Sequence, residues 1–375
     1  MEDHKCNRCI MPRNFPSLRF DSGGTCDLCC NGDPSSGVDL SQRRIELNRR
    51  IEHARQEATR YHAIVPWSGG KDSTYVLYVL INVYGLRVLA VNFDNGFKSR
   101  WAHINLDKIS RRLGIDLVTI RLDWTLMRDL YSHYLRERGE LCSVCNMVGY
   151  VVVFSFVLKE SRGLGYFPLV VGGWSGRHEN VRSIFTFDYA EFRRVIEGKK
   201  DLLQRFEANP MVDREVCEIL QCLGDPRAGS AHIGEDLGRR FFQLPDFLDW
   251  DVAEIREVLS KELDWLSSGS AFPAHEDCDW HRSMKYLMFQ KYGFDNHTIA
   301  LSAMVRSGRL TRERALEIER EGNAGREPED MSALLGSLGC GIDDINRGSD
   351  WYTGQNVGET YGGARGIRQE ANDRR

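Results

Sequence analysis

The chain has 375 residues, room for two modest domains or for one domain with appendages. Hydrophobic residues make up 42% and charged residues 28%, an ordinary balance for a globular protein and unlike that of a disordered or fibrous one. A formal charge of −4 argues against a basic nucleic-acid footprint over the whole surface, and no apolar run reaches the ~18 residues of a membrane span.

Residues 1–38 carry two Cys-x-x-Cys pairs, Cys6/Cys9 and Cys26/Cys29, with sixteen residues between them. Two such knuckles at this distance predict a tetrahedral thiolate site for Zn²⁺. Four protein ligands leave no open position, so this metal would be structural and would supply folding energy to a segment too small to bury a core. Cys30 is left over as a non-ligand. The opening residues, Met1 to Cys6, lack the apolar core of a signal peptide, so a cytoplasmic location is expected. In that compartment eleven cysteines point to metal or redox chemistry rather than to disulfides.

A polar linker over 33–38 leads into a predicted connector helix within 39–60, with Leu40, Leu47, Ile51, Ala54 and Ala58 on one side. From 61 to about 180, strands alternate with helices, which predicts a parallel sheet. The strands are expected at Ile64–Pro66, Arg87–Phe93, Asp116–Leu122 and Pro168–Gly173, with a helix near Trp101–Leu113. Between the first strand and its helix lies Ser68-Gly-Gly-Lys-Asp-Ser73. Two adjacent glycines let backbone N–H groups turn toward an anion, and the following helix points its positive dipole end at the same place. Ser68 and Ser73 add hydroxyls and Lys71 adds a full charge, so the loop is built to cradle phosphate. The Walker spacing, Gly-x-x-x-x-Gly-Lys-Ser/Thr, is absent.

In open α/β sheets, ligands bind at the carboxyl ends of the strands. Asp94 and the Gly172–Trp174 stretch fall there, making Asp94 and Gly173 candidates for nucleotide contact. Asp94 reads equally as a turn aspartate before Asn95-Gly96. The loop continuing to Glu179 is expected to line the same cleft. Cys142 and Cys145, just before an apolar helix at Val148–Leu158, form a second thiol pair whose best third partner is Cys278.

Residues 181–345 are expected to hold substrate specificity and a helical C-terminal region. Helices are predicted over Phe185–Arg205, Asp251–Leu266, His281–Tyr292, Thr298–Arg306 and Thr311–Glu321, and 346–375 reads as a Gly-rich disordered tail.

The Ser68–Ser73 run resembles the pyrophosphatase loop of adenylating ATPases such as GMP synthetase, asparagine synthetase and tRNA thiolation enzymes. The opening Cys-x-x-Cys followed by Ile10-Met-Pro, the stretch Phe20–Cys26, and the segments His281–Leu287, Tyr292–Asp295 and Gly308–Glu313 look like the N-acetyl sugar amidotransferases of bacterial surface-sugar pathways. This resemblance runs from Cys6 to about Arg347. It implies an α/β fold: a parallel-sheet PP-loop (adenine nucleotide α-hydrolase-like) domain with an N-terminal zinc knuckle and a C-terminal helical region. It also implies that Ser68, Gly69, Gly70, Lys71, Asp72 and Ser73 bind ATP phosphates with Mg²⁺, with Lys71, Asp72 and Ser73 in catalytic positions. Ammonia would come from a separate glutaminase subunit, and the acceptor would be a small molecule rather than a nucleic acid or a membrane. One feature departs from that pattern. A Cys-x-x-Cys plus one distant cysteine is similar to the iron–sulfur tRNA thiolation enzymes, in which three cysteines hold a [4Fe-4S] cluster. An ATP-dependent amidotransferase, a sulfurtransferase with a sulfur donor and a cluster on Cys142, Cys145 and Cys278, and a non-catalytic nucleotide-binding subunit are the three readings.

Overall fold

The computed structural model describes residues 5–15, 18–31, 39–174, 189–223, 240–267, 277–322 and 325–345. The expectations for the Ser175–Glu179 loop and for the tail beyond residue 345 fall outside these.

The N-terminal knuckle is a pair of tight turns. Cys6 N donates to Met11 O at 2.8 Å, Phe20 bridges Cys26, and a helical turn spans Asp27–Cys30. Helix α1, Leu40–Glu57, follows; Asp39 caps it by accepting from Ser41 N at 2.9 Å. Strand β1, Ala63–Pro66, then enters α2, Lys71–Tyr78. The next elements are β2 (Val88–Phe93), α3 (Arg100–Leu113), β3 (Asp116–Ile120), α4 (Trp124–Arg138), α5 (Cys142–Leu164) and β4 (Leu169–Gly172). All four expected strands are present. The segment before Cys142, which reads as polar, is the helix α4. Its buried side carries Tyr131, Ser132, His133 and Tyr134 among the leucines, so the apolar stripe is masked by polar atoms.

The sheet is parallel, in the order β3-β2-β1-β4-β5. Its last strand, β5 (Phe241–Gln243), comes from beyond residue 180 and pairs Phe242 with Val171. Side chains alternate across the sheet as strand geometry requires. Ile64, Leu89, Val91 and Val170 pack into one core with α4 and α5. Ala63, Val65, Val88, Ala90, Leu169 and Val171 pack into another with α1, α2 and α3. The second core also takes Ile255, Leu259 and Leu263 of α9 (Val252–Leu263), numbered after α6 (Tyr189–Glu197), α7 (Lys200–Glu207) and α8 (Arg214–Leu223). The helix expected over Phe185–Arg205 is therefore two, broken at Gly198–Lys199, where a glycine interrupts the periodic face.

By length and composition alone α5 could cross a membrane, a correction to the reading that no segment qualifies. Its apolar residues, including Val144, Val148, Val151 and Val157, are buried against the sheet and α4, which makes it a core helix.

The C-terminal helices are α10 (His281–Tyr292), α11 (Asn296–Arg306), α12 (Arg312–Glu321) and α13 (Met331–Ser337). Gly293 in the left-handed region ends α10, and Asp295 and Thr311 cap the next two. These helices clamp the knuckle. Arg312 Nε donates to the carbonyls of Cys6 (3.2 Å) and Cys9 (3.0 Å), Lys5 pairs with Glu319, and Phe15 packs on Phe294 at 5.7 Å.

Arg312 thus joins the two ends of the chain with charge-assisted bonds to backbone carbonyls. Arg312→Ala is expected to cost on the order of 1.5–3 kcal/mol and to expose the knuckle. Faster proteolysis within residues 18–39 at unchanged cleavage elsewhere would show this. A cleavage pattern and melting curve identical to wild type would contradict the clamp.

Candidate active site

The sheet reverses its winding between β1 and β4, and ligands in such sheets collect at that switch point. The loop 68–73 leaves β1 there. Gly69 has φ +86°, and a Cβ on it would lie 2.8 Å from Ala102 O, so only glycine fits between β1 and α3. The Gly69 carbonyl is held from outside by Trp265 Nε1 (3.1 Å) and Asn105 Nδ2 (3.3 Å). Ser68 and Ser73 hydroxyls lie 3.1 Å apart, and Gly70 N donates to Ser68 Oγ at 3.2 Å. The first α2 backbone bond runs from Thr74 N to Gly70 O, which leaves the N–H groups of Lys71, Asp72 and Ser73 without an intrahelical acceptor. These donors, two hydroxyls and one ammonium form a compact oxyanion cradle.

Lys71 is nearly buried, its side chain 11% exposed, and its Nζ lies 2.6 Å from Asp72 Oδ2. Asp72 Oδ1 accepts from Trp250 Nε1 at 3.1 Å. Gly173, after β4, presses on the loop: a Cβ there would fall 2.9 Å from the Asp72 backbone. Its role in the structure is this close approach.

Asp94 sits at the end of β2, buried. Its Oδ1 accepts from Gly96 N at 3.0 Å and its Oδ2 from Arg121 Nε at 2.9 Å. Burial alone would raise its carboxyl pKa, but the Gly96 N–H and the Arg121 guanidinium hold it below the ordinary range. Asp94 therefore shapes the turn and anchors Arg121.

Two members of the second cysteine set, Cys145 and Cys278, come together. Cys142 is the first residue of α5 and Cys145 lies one turn on. Cys278 forms an antiparallel bridge with Lys98, flanked by the bonds Ser99 N to Asp277 O (3.1 Å) and Asp279 N to Phe97 O (2.8 Å). Asn95 Nδ2 reaches both Cys145 Sγ (3.3 Å) and Cys278 Sγ (3.9 Å), so those sulfurs are no further apart than the sum of the two distances. Burial raises the pKa of the Cys142 and Cys278 thiols, helped by Glu140 beside the first and by Cys145 and Asp277 beside the second, Cys278 to about 12. The same segment touches the phosphate loop, since a Cβ on Gly70 would meet Asp277 Cγ at 3.2 Å. Thiols and cradle share one mouth.

Cys6, Cys9, Cys26 and Cys29 are buried and separate from this mouth, docked under α11 and α12. Their sulfurs all lie within 4.8 Å of one another, the one such group among the described residues. Pairs at 3.7 Å and 3.9 Å match the ~3.8 Å edge of a tetrahedron with ~2.3 Å zinc–sulfur bonds. Cys26 N and Met11 N donate to the Cys6 and Cys9 sulfurs, as expected around thiolates.

Asn95, Arg121, Lys98, Asp277, Trp250 and Trp265 were not legible as site residues. Asn95 reads only as part of the Asp94-Asn95-Gly96 turn, and the two tryptophans reach the loop from far along the chain.

Residues 270–347 match the family described as "LPS biosynthesis protein WbpG-like, C-terminal domain". The chain is 25% identical over 196 residues to "Uncharacterized protein MJ1599" of Methanocaldococcus jannaschii, an alignment covering 52% of this chain and 65% of that relative's length. Among solved structures, the U34-tRNA thiolase NcsA from Methanococcus maripaludis with its [4Fe-4S] cluster is similar at 16% identity and TM-score 0.32, over 96% of this chain and 99% of that one. The NH3-dependent NAD synthetase from Campylobacter jejuni is similar at 12% identity and TM-score 0.29, over 54% and 93%. The NMN synthetase from Francisella tularensis gives 14% and 0.28, over 54% and 92%. The segment similar to the WbpG-like C-terminal domain thus includes Asp277, whose side chain meets Gly70 of the loop.

Proposed function

We propose that this protein is an ATP pyrophosphatase that adenylates a carbonyl oxygen of a small, N-acetyl sugar-like substrate and then replaces that oxygen with ammonia. The observation that carries the reading is the meeting of two parts. The oxyanion cradle on β1 is covered by the segment that matches an LPS-biosynthesis family, with Asp277 against Gly70. The nucleotide-binding unit is then the parallel sheet from β1 to β4 completed by β5 and α9, and the C-terminal helices with the rest of the chain beyond 180 select the acceptor.

ATP enters as its Mg²⁺ complex. The N–H groups of Lys71, Asp72 and Ser73, the Ser68 and Ser73 hydroxyls and the Lys71 ammonium hold its phosphates and stabilise charge that spreads over them as the α–β bond breaks. The acetamido oxygen attacks the α-phosphorus, pyrophosphate leaves, and the nitrogen gives up a proton to form an imidate ester of AMP. Ammonia, supplied by a separate glutaminase subunit, attacks the carbon. AMP leaves with the original oxygen, and the product is an amidine.

The convergence of Cys142, Cys145 and Cys278 favours a second reading, sulfur transfer. Their thiols suit a [4Fe-4S] cluster, three cysteines leaving one iron free to bind a sulfide. Asn95 and the buried Tyr131, whose hydroxyl donates to Asn95 O at 3.0 Å, would fix the cysteine side of that site.

Lys71→Ala is expected to slow substrate-dependent pyrophosphate release at least ~10²-fold while leaving the fold intact. Release at the wild-type rate would remove the cradle from the mechanism, and ADP with phosphate as products would place the protein in another ATPase class.

Metal analysis of anaerobically purified protein separates the two cysteine sets. Cys6→Ser should lose about one zinc per chain and much of its stability, with unchanged zinc ruling the knuckle site out. A colourless wild type supports amidation. A brown one with broad absorption near ~400 nm that loses iron and labile sulfide in Cys278→Ala supports thiolation.

A further inference from the structure

At the carboxyl ends of β2 and β3 the structure contains a cavity of about 260 Å³, next to the cysteine site but outside the phosphate loop. Lys98, His103 and Arg121 line it with three basic groups, and Asp94 is its one carboxylate. Both Asp94 oxygens are already engaged, one by Gly96 N and one by Arg121. Arg121 binds Asp94 through Nε and Nη2, and its side chain is 69% exposed. Among the described residues, no acceptor takes its Nη1. The same holds for the half-buried Lys98 ammonium, although the Lys98 backbone is pinned by the bridge to Cys278. The Lys98 and Arg121 charges thus border a concave space whose one lining carboxylate is already engaged, an arrangement that attracts an anion.

The same cavity is lined by one aromatic ring, Trp124. Trp124 is 39% exposed, unusual for a side chain so firmly fixed. It lies over Gly96, where a Cβ would come within 2.4 Å of the ring, and meets Phe97 edge-on at 5.6 Å. Gly96 is in the left-handed region with φ +84°, so this turn and the tryptophan contact both require glycine. A ring packed on Gly96 and Phe97 beside these cations suits a sugar ring bearing a negative group. Asn95 lines the same cavity and reaches the Cys145 and Cys278 sulfurs, so a sugar held here would have its far end at the reaction mouth.

We propose that this cavity is the acceptor-anchoring site: Lys98, Arg121 and His103 bind an oxyanion on the sugar, a phosphate or a carboxylate, and Trp124 packs on its ring. The inference rests on the sugar-substrate reading above, and it assigns the pocket to the acceptor and not to ATP. It gives Lys98 and Arg121 the work of positioning substrate, with no part in bond breaking.

The test is calorimetric titration of the full chain, without ATP, with glucose 1-phosphate, glucuronate and neutral glucose as probes. One anionic sugar should bind more tightly than glucose, the phosphate or the carboxylate naming the source. Lys98→Ala should weaken that binding about tenfold or more, and Lys98→Arg should restore most of it. The Lys98 ammonium makes no hydrogen bond or ion pair among the described residues and its bridge to Cys278 is through backbone, so its removal should spare the fold, as an unchanged melting curve would verify. Lys71→Ala should leave the sugar affinity unchanged. Equal binding of all three probes, or no effect of Lys98→Ala, would overturn the proposal. So would displacement of the sugar by ATP together with loss of ATP affinity in Lys98→Ala. Because no turnover is involved, failure of pyrophosphate release would refute the enzymatic reading without touching this result.

Discussion

The site depends on close backbone approaches around one loop. Gly69 passes so near Ala102 that a Cβ would lie 2.8 Å from its carbonyl oxygen, and Gly173 abuts the Asp72 backbone at 2.9 Å on the other side. Between these contacts the chain turns from β1 into α2 with no room for a side chain at either glycine, and the first N–H groups of α2 are left without intrahelical acceptors. Trp265 and Asn105 secure the Gly69 carbonyl, and Trp250 holds the Asp72 carboxylate that pairs with Lys71. Such donors are arranged before any ligand arrives, which is what electrostatic catalysis requires.

The C-terminal segment then joins the two functional ends of the molecule. Asp277 and Cys278 run antiparallel to residues 97–99 and close the mouth of the cradle, while α11 and α12 grip the knuckle through Arg312 and Lys5. A metal held by Cys6, Cys9, Cys26 and Cys29 would therefore brace the same helices that follow Cys278. The knuckle is remote from the cradle, yet it supports the placement of the residues that cover it.

Local signals were legible and long-range ones were not. The Ser68–Ser73 run, the paired Cys-x-x-Cys knuckles and the first four strands each announce themselves within a dozen residues. So do the capped C-terminal helices, because Gly293 and Thr311 mark their ends. Strand β5 is three residues long and carries too little pattern to register. Helix α4 hides its apolar face behind Tyr131, Ser132 and His133. Lys98 and Arg121 look like ordinary surface charges, because only the crossover of β2 and β3 brings them to one cavity. The Cys142/Cys145 spacing and Cys278 as a candidate third partner were legible in the sequence, but the Asn95 side chain that reaches Cys145 and Cys278 was not.

The central claim is that the β1 loop holds a nucleotide triphosphate beside the Cys278 segment. The most direct measurement is a crystal structure with α,β-methylene-ATP and Mg²⁺. The account predicts phosphate oxygens within hydrogen-bonding reach of Lys71 Nζ, the Ser68 and Ser73 hydroxyls and the first N–H groups of α2, with the α-phosphorus facing the mouth formed by Asp277 and Cys278. Nucleotide bound elsewhere, with the loop bare at saturating concentration, would contradict it.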